Sequence, residues 1–302
     1  MKFDLNFGPV QSMITKEEIE EMVRWKPRRF SLRDFEKPLK EPNELGSWQK
    51  DWNLIFPFRE TFVPAFYEMC EYVEHSPFRT KGTAYYTFLW NVTPDDIDQI
   101  KSFLEAIKPY VAIRDCLTLS FAIDYDREGG NPDTPQTHVG LLRSIAKTYG
   151  KAASSQALEK ADELVEECLA ALKKLTCYNS ATCIVAMPPS DPAKPFDLPK
   201  HLVANISERL GKPDKSDKVK TLKARPGNKE LPCEEKLANI EGTVSVDDKS
   251  FKDEIVLLVD DLYQSGVSMN YVAMRLLEAG AKQVLGLSCE KTCSNDDNVS
   301  RR

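Results

Sequence analysis

Residues 255–259 read Ile-Val-Leu-Leu-Val, an unbroken apolar run with a branched β-carbon at three of its five positions. A strand with one wet face alternates polar and apolar residues. This one does not, so it belongs inside a sheet covered on both sides. Asp260 and Asp261 follow at once, then a short turn, Leu262, Tyr263, Gln264, Ser265, Gly266, Val267 and Ser268. Met269, Val272, Ala273, Leu276 and Leu277 then recur at helical spacing, and Gly280 supplies the stop. Strand, turn and helix in that order predict an α/β architecture. They put the turn between the carboxyl end of a strand and the amino end of a helix, where open α/β sheets bind ligands.

The turn's residue types suit a sugar phosphate. Amide groups around Gly266 can face an anion, Ser265 and Ser268 can donate hydroxyls, and the helix dipole favours negative charge at that end. Asp260 and Asp261 would repel a phosphate lying on them, but they can accept hydrogen bonds from ribose hydroxyls nearby or hold Mg2+. A ribose carrying a 5-phosphate satisfies both halves. By itself, Asp-Asp before a helix is an ordinary acidic turn; the serines flanking a glycine in this strand-and-helix setting favour the ligand.

Four apolar residues, two acids and a loop ending Ser265-Gly266-Val267-Ser268 resemble the phosphoribosyl-pyrophosphate (PRPP) signature of type I phosphoribosyltransferases. The resemblance implies a sheet flanked by helices, Asp260 and Asp261 on the ribose, residues 262–268 around the 5-phosphate, and Mg2+ arriving with PRPP near the two acids. No protein-only metal cluster is implied. Upstream, Thr182-Cys183-Ile184-Val185-Ala186-Met187-Pro188-Pro189-Ser190 resembles the first core strand and pyrophosphate-facing loop of the ComF-like branch. Lys194-Pro195-Phe196-Asp197 follows, where that branch has Arg-Gly-Phe-Asn, then a helix through Leu210. Leu222-Lys223-Ala224-Arg225 and 235–242 resemble the branch's mobile segment, with Lys223 and Lys236 where arginines are common and Glu230 near a glutamine position. The pyrophosphate side is thus expected from Pro188, Pro189, Ser190, Lys194, Lys223, Arg225 and Lys236. Lysine for arginine matters, because arginine offers a fixed bidentate fork and lysine a hydrated point charge. Residues 194–225 carry seven Lys and two Arg against four acids, which suits an anionic ligand, although most of these lysines read as solvated.

Ala146-Lys147-Thr148-Tyr149 resembles the opening of that branch's transferase domain, and Leu158, Ala161, Leu164, Val165, Cys168, Leu169 and Leu172 mark one face of a helix over 154–175. The resemblance covers residues 137–302, with a last strand at 283–288 and a polar tail, 295–302, expected to fray. Residues 1–136 form an N-terminal α+β region of unknown role, separated by the Gly/Pro-rich stretch 126–135. That region holds all four tryptophans, 25, 48, 52 and 90, so it has to pack. Strands are expected at 83–92 and 117–125 and a helix at 97–107, entered through Thr93-Pro94.

The chain has 302 residues, 41% apolar and 29% charged, with net charge -6. Neither disorder nor a membrane span fits, and the opening residues lack a signal-peptide pattern, so a cytoplasmic location is expected. The eight cysteines form no disulfide framework or CxxC pair, and the N-terminal half, with only Cys70 and Cys116, lacks the zinc module common in ComF-like proteins. Cys289 and Cys293 lack a second pair and read as strand-end residues, and histidines 75, 138 and 201 are dispersed.

Two functional classes stay open. One is an enzyme transferring ribose 5-phosphate from PRPP to an unidentified acceptor with release of pyrophosphate. The other is a non-catalytic PRPP or nucleotide sensor or assembly protein acting with a nucleic acid or protein partner in DNA uptake, processing or bacterial defence. Arg24-Trp25-Lys26-Pro27-Arg28-Arg29-Phe30, cations among aromatics, is the candidate nucleic-acid contact. The acids around it also fit a surface helix or a protein contact. A homodimer is the default assembly.

Overall fold

The computed structural model describes residues 11–35, 38–41, 52–70, 73, 79–81, 86–148, 150–227 and 231–293. Tyr149, Glu230, the first three residues of the strand expected at 83–92 and the tail 295–302 lie outside them.

The strands are β1 (Arg29–Phe30), β2 (Leu39–Lys40), β3 (Trp52–Phe56), β4 (Arg79–Lys81), β5 (Tyr86–Val92), β6 (Val111–Ile113), β7 (Leu119–Tyr125), β8 (Cys183–Ala186), β9 (Val219–Thr221), β10 (Val244–Val246), β11 (Ile255–Tyr263) and β12 (Gln283–Lys291). The α-helices are α1 (Lys16–Met22), α2 (Phe62–Met69), α3 (Ile97–Ile107), α4 (His138–Ala146), α5 (Ser155–Lys174), α6 (Leu198–Leu210), α7 (Cys233–Ile240) and α8 (Val267–Glu278). Six strands form the central sheet in the order β1-β6-β7-β12-β11-β8. β7, β12, β11 and β8 are parallel, while β6 and β1 extend the β7 edge antiparallel. A four-stranded antiparallel sheet, β2-β3-β5-β4, and the β9-β10 pair complete the strands.

The apolar run of β11 works as its composition demands. Leu257 and Val259 face a core shared with Leu142 of α4, Leu164 and Cys168 of α5 and Leu202 and Ile206 of α6. Val256 and Leu258 face the opposite core, filled by Val272 and Leu276 of α8, Leu237 and Ile240 of α7 and Ile19 and Met22 of α1. Each such side chain contributes roughly 1.5–3 kcal/mol by leaving water. The N-terminal aromatics join the first core: Phe56 stacks on Phe62 at 5.0 Å and Phe66 meets Phe103 edge-on at 5.4 Å.

Two expectations need correction. The division at 136/137 does not separate two sheets, because β7 pairs with β12 from Leu119↔Leu285 to Tyr125↔Lys291. Residues 126–135 are a closed turn and not a linker: Arg127 Nη1 donates to the Thr134 carbonyl at 2.8 Å, and the Glu128 amide to the Pro135 carbonyl at 3.0 Å. Gly and Pro signalled chain reversal here, and burial of β7 on both faces did the rest. On α5 the inward face includes Ala157, while Leu158 is 39% exposed. The last strand runs three residues past Ser288, to Lys291, which proves decisive for the site.

Candidate functional site

β11 ends at Tyr263, and the chain turns through Gln264, Ser265 and Gly266 into α8. Gly266 is the N-cap of α8, left-handed at φ 75°, and contributes no side-chain cap. A β-carbon there would fall onto the ring and hydroxyl of Tyr263, so both the dihedral and the space require glycine. With no capping side chain, the first turn of α8 offers its amides and the positive end of its dipole to the cleft that Ser265, Gly266 and Ser268 line.

That cleft has a volume of about 240 Å³ at the carboxyl ends of β8 and β11. One wall is the turn from Leu262 to Ser268; the facing wall is Pro188, Pro189, Ser190 and Lys194, with Arg225 and Lys147 adding cations. The Arg225 amide donates to the Ser190 carbonyl at 3.0 Å, and Lys194 Nζ donates to Ser190 Oγ at 3.2 Å. Thr221 Oγ1 holds the Pro189 carbonyl at 2.5 Å. The structure thus brings Asp260, Asp261, the turn, the proline loop, Lys194 and Arg225 together. It leaves out two expected cations. Lys223 is exposed and does not line the cleft, and Lys236 is wholly buried on α7. A side chain enclosed within the fold cannot meet a ligand arriving from solvent.

The two aspartates have unequal surroundings. Asp261 is buried, and its Oδ2 receives Arg143 Nε at 2.9 Å and Lys147 Nζ at 2.7 Å. Arg143 Nη1 also pairs with Glu290 Oε1 at 2.8 Å. Burial pushes Asp261 up, but Lys147 and Arg143 overcome it and hold the carboxyl well below its ordinary range. Asp260 is raised instead, by burial first and then by the neighbouring Asp261 charge. One of its oxygens accepts the Asp261 amide at 2.8 Å, and part of the residue stays open to the cleft. The equal roles expected for the pair do not match this geometry: Asp261 organises a buried charge network and Asp260 faces the ligand space.

Sequence reasoning missed Arg143, Glu290 and Asp197. Arg143 gave one signal, a cation on the apolar face of α4 between Val139, Leu142 and Ala146. Glu290 lay beyond the expected end of its strand. Asp197 was read only as part of a motif. It lines the cleft beside Phe196 and Lys194, caps α6 without bonding an amide, and its buried Oδ2 has no hydrogen-bond partner. Burial pushes it up to about 6, with Lys200 opposing and Asp261 adding to the rise.

Two of the four candidate nucleic-acid cations, Arg28 and Arg29, are committed elsewhere, while Arg24 and Lys26 are exposed. Arg28 is 1% exposed and donates Nη2 to the Ser265 carbonyl at 2.9 Å. Arg29 lies 4.7 Å over the Tyr125 ring and bonds the carbonyls of Gly130 and Cys293. Their guanidinium groups bond within the fold, so Arg28 and Arg29 are not available to a nucleic-acid backbone.

Buried acids also set a pH dependence. Burial pushes Asp115 and Asp197 up to about 6 and Glu290 up to about 7. A raised carboxyl pKa means that the folded chain binds more protons than the unfolded chain between the two values, so its contribution to stability falls as pH rises. Urea midpoints are expected to show this loss from about pH 4.5 to 7 for Glu290, and Glu290→Gln to flatten that stretch of the curve. An unchanged pH profile in the variant would rule out Glu290 as its source.

No family model and no curated protein matches the chain. Among the described residues, no helix is long and apolar enough to cross a membrane. Solved structures with some likeness include an adenine phosphoribosyltransferase from Thermoanaerobacter pseudethanolicus, 16% identical, with TM-score 0.29 over 46% of this chain and 86% of that one. A structure described as the allosteric regulatory enzyme of purine biosynthesis is 13% identical, with TM-score 0.28 over 92% of this chain and 55% of that one. The glutamine PRPP amidotransferase from B. subtilis, complexed with ADP and GMP, is 12% identical, with TM-score 0.28 over 94% and 56%. This chain spans little more than half of the length of the last two. At such identities and TM-scores these likenesses assign the chain to no family, and the cleft's own residues carry the functional reading.

Proposed function

We propose that the cleft binds PRPP and transfers its ribose 5-phosphate to a nitrogen acceptor, releasing pyrophosphate. The observation that carries this reading is the asymmetry of Asp260 and Asp261 at the edge of an uncapped glycine turn. One carboxyl is neutralised by Arg143 and Lys147, and the other faces the ligand space a few residues from a helix amino end. A sugar phosphate satisfies that combination: Asp260 accepts from ribose hydroxyls, and the 264–268 turn holds the 5-phosphate. Lys194, Arg225 and the proline loop supply the pyrophosphate side.

The donor set fits Mg2+ arriving with its substrate. Asp260, giving up its proton as the ion binds, would with phosphate oxygens and water make the ordinary oxygen shell of this ion. Bound there, Mg2+ would offset charge on the departing pyrophosphate. The chain's own residues do the rest by placement and charge. The acceptor nitrogen bonds to C1 of the ribose, the C1–O bond to pyrophosphate breaks with its electron pair, and the acceptor proton passes to Asp197. Lys194 and Arg225 steady the leaving group. A PRPP sensor that performs no transfer is the second reading, favoured by Lys223 and Lys236 lying off the cleft.

The test is calorimetric titration of PRPP with Mg2+ into the parent and into Asp260→Asn. The parent is expected to bind and the variant to lose about tenfold or more in affinity while remaining folded, since the replaced carboxyl is already raised by burial. No binding by the parent would end the PRPP reading. Binding without pyrophosphate release across a panel of purine and pyrimidine bases would leave the sensor.

A further inference from the structure

The described part of residues 1–136 reaches the carboxyl end of β11 in two places. Arg28, between α1 and β1, donates to the Ser265 carbonyl across 237 residues of sequence. Asp115, just after β6 and 2% exposed, accepts the Tyr263 hydroxyl at 3.0 Å and the Leu117 amide at 3.0 Å. Tyr263 in turn closes over the space where a β-carbon of Gly266 would sit. A third link joins the same two regions: the Cys116 amide donates to Asn270 Oδ1 at 2.9 Å, and Asn270 Nδ2 donates to the Gly266 carbonyl at 2.9 Å. From the far side, the wholly buried Lys291 holds the Gln264 carbonyl at 3.2 Å.

The carbonyls of Gln264, Ser265 and Gly266 are therefore each held by a protein donor. A turn whose carbonyls are tied to the protein in this way presents its amide groups to the cleft, which is what an anion site needs. Without these donors the turn could flip a carbonyl toward the ligand, where it would repel a phosphate. Buried hydrogen bonds to charged donors are the stronger kind.

We propose that the N-terminal region is the buttress of the phosphate turn, with Arg28 and Asp115 as positioning residues that set its amides for the 5-phosphate of PRPP. This rests on the PRPP reading above and gives the region a role other than the partner contact its sequence suggested. Neither residue touches the ligand. Both act through Ser265, Tyr263 and Gly266.

The experiment titrates PRPP with Mg2+, and separately ribose 5-phosphate, into the full chain and into Arg28→Met, Arg28→Lys and Tyr263→Phe. Hydrogen–deuterium exchange is followed across residues 262–269. Arg28→Met is expected to lose about tenfold or more in affinity for both ligands, the worth of one buried charged hydrogen bond. Exchange should rise at the turn, and Arg28→Lys should regain part of the affinity. Tyr263→Phe, which keeps the ring over Gly266, is expected to lose a smaller factor and covers the case in which Arg28→Met does not fold. A folded Arg28→Met or Tyr263→Phe that binds both ligands within about threefold of the parent, with unchanged exchange at the turn, overturns the buttress and spares the PRPP reading. A parent that binds neither ligand removes both.

Discussion

Arg143→Met is expected to lower the unfolding free energy by about 3–5 kcal/mol, the cost of removing one partner from a buried charge network. The side chains of Arg143, Asp261 and Glu290 are 7%, 8% and 4% exposed, so solvent screens the change little. Without the guanidinium, Glu290 loses its ion-pair partner, and Asp261 keeps Lys147, whose side chain is one-third exposed. Against a total stability of about 5–15 kcal/mol this is a large fraction. Urea denaturation followed by circular dichroism measures it. Adding Glu290→Gln to Arg143→Met should recover part of the loss near and above neutral pH, because the amide avoids both a buried charge and the proton uptake that Glu290, already raised to about 7 by burial, would need. A loss below about 1 kcal/mol would mean that the network contributes nothing net, as exposed pairs commonly do.

Gly266→Ala is expected to damage binding more than stability. The left-handed backbone costs an alanine about 1–2 kcal/mol, and the new methyl group displaces the Tyr263 ring from its place over the turn. PRPP affinity should fall by tenfold or more, since the amides that define the site move with the ring. Gly242→Ala is the matched control. Gly242 has φ 67°, but its β-carbon would meet nothing within 4 Å, so it bears the backbone strain alone. Equal PRPP affinity in the two variants would show that backbone strain, and not the Tyr263 contact, is what alanine disturbs at Gly266.

Much of the site was legible in the chain because it is local. The run at 255–259, the acids at 260 and 261 and the glycine at 266 are contiguous, and their pattern alone implies a buried strand feeding a helix. The helix at 97–107 was legible for the same reason: Pro94 opens it, and Ile97, Ile100, Phe103, Leu104 and Ile107 repeat at helical spacing and are buried. The cations were less legible. Lys194, Lys223, Arg225 and Lys236 read alike in sequence, yet the fold brings only Lys194 and Arg225 to the cleft.

The sequence by itself determined the strand, the turn chemistry and the α/β class, because side-chain period and glycine geometry act within a few residues. Tertiary structure alone decided that Asp260 and Asp261 differ, since the difference comes from Lys147 and Arg143, which reach Asp261 from well over a hundred residues away. It alone decided that β7 belongs to the central sheet, because parallel pairing leaves no local mark at the strand it joins. And it alone turned Arg28 from a surface cation among aromatics into a buried donor to Ser265. Charge–carbonyl contacts across 237 residues depend on where the chain returns, and no local pattern encodes that return.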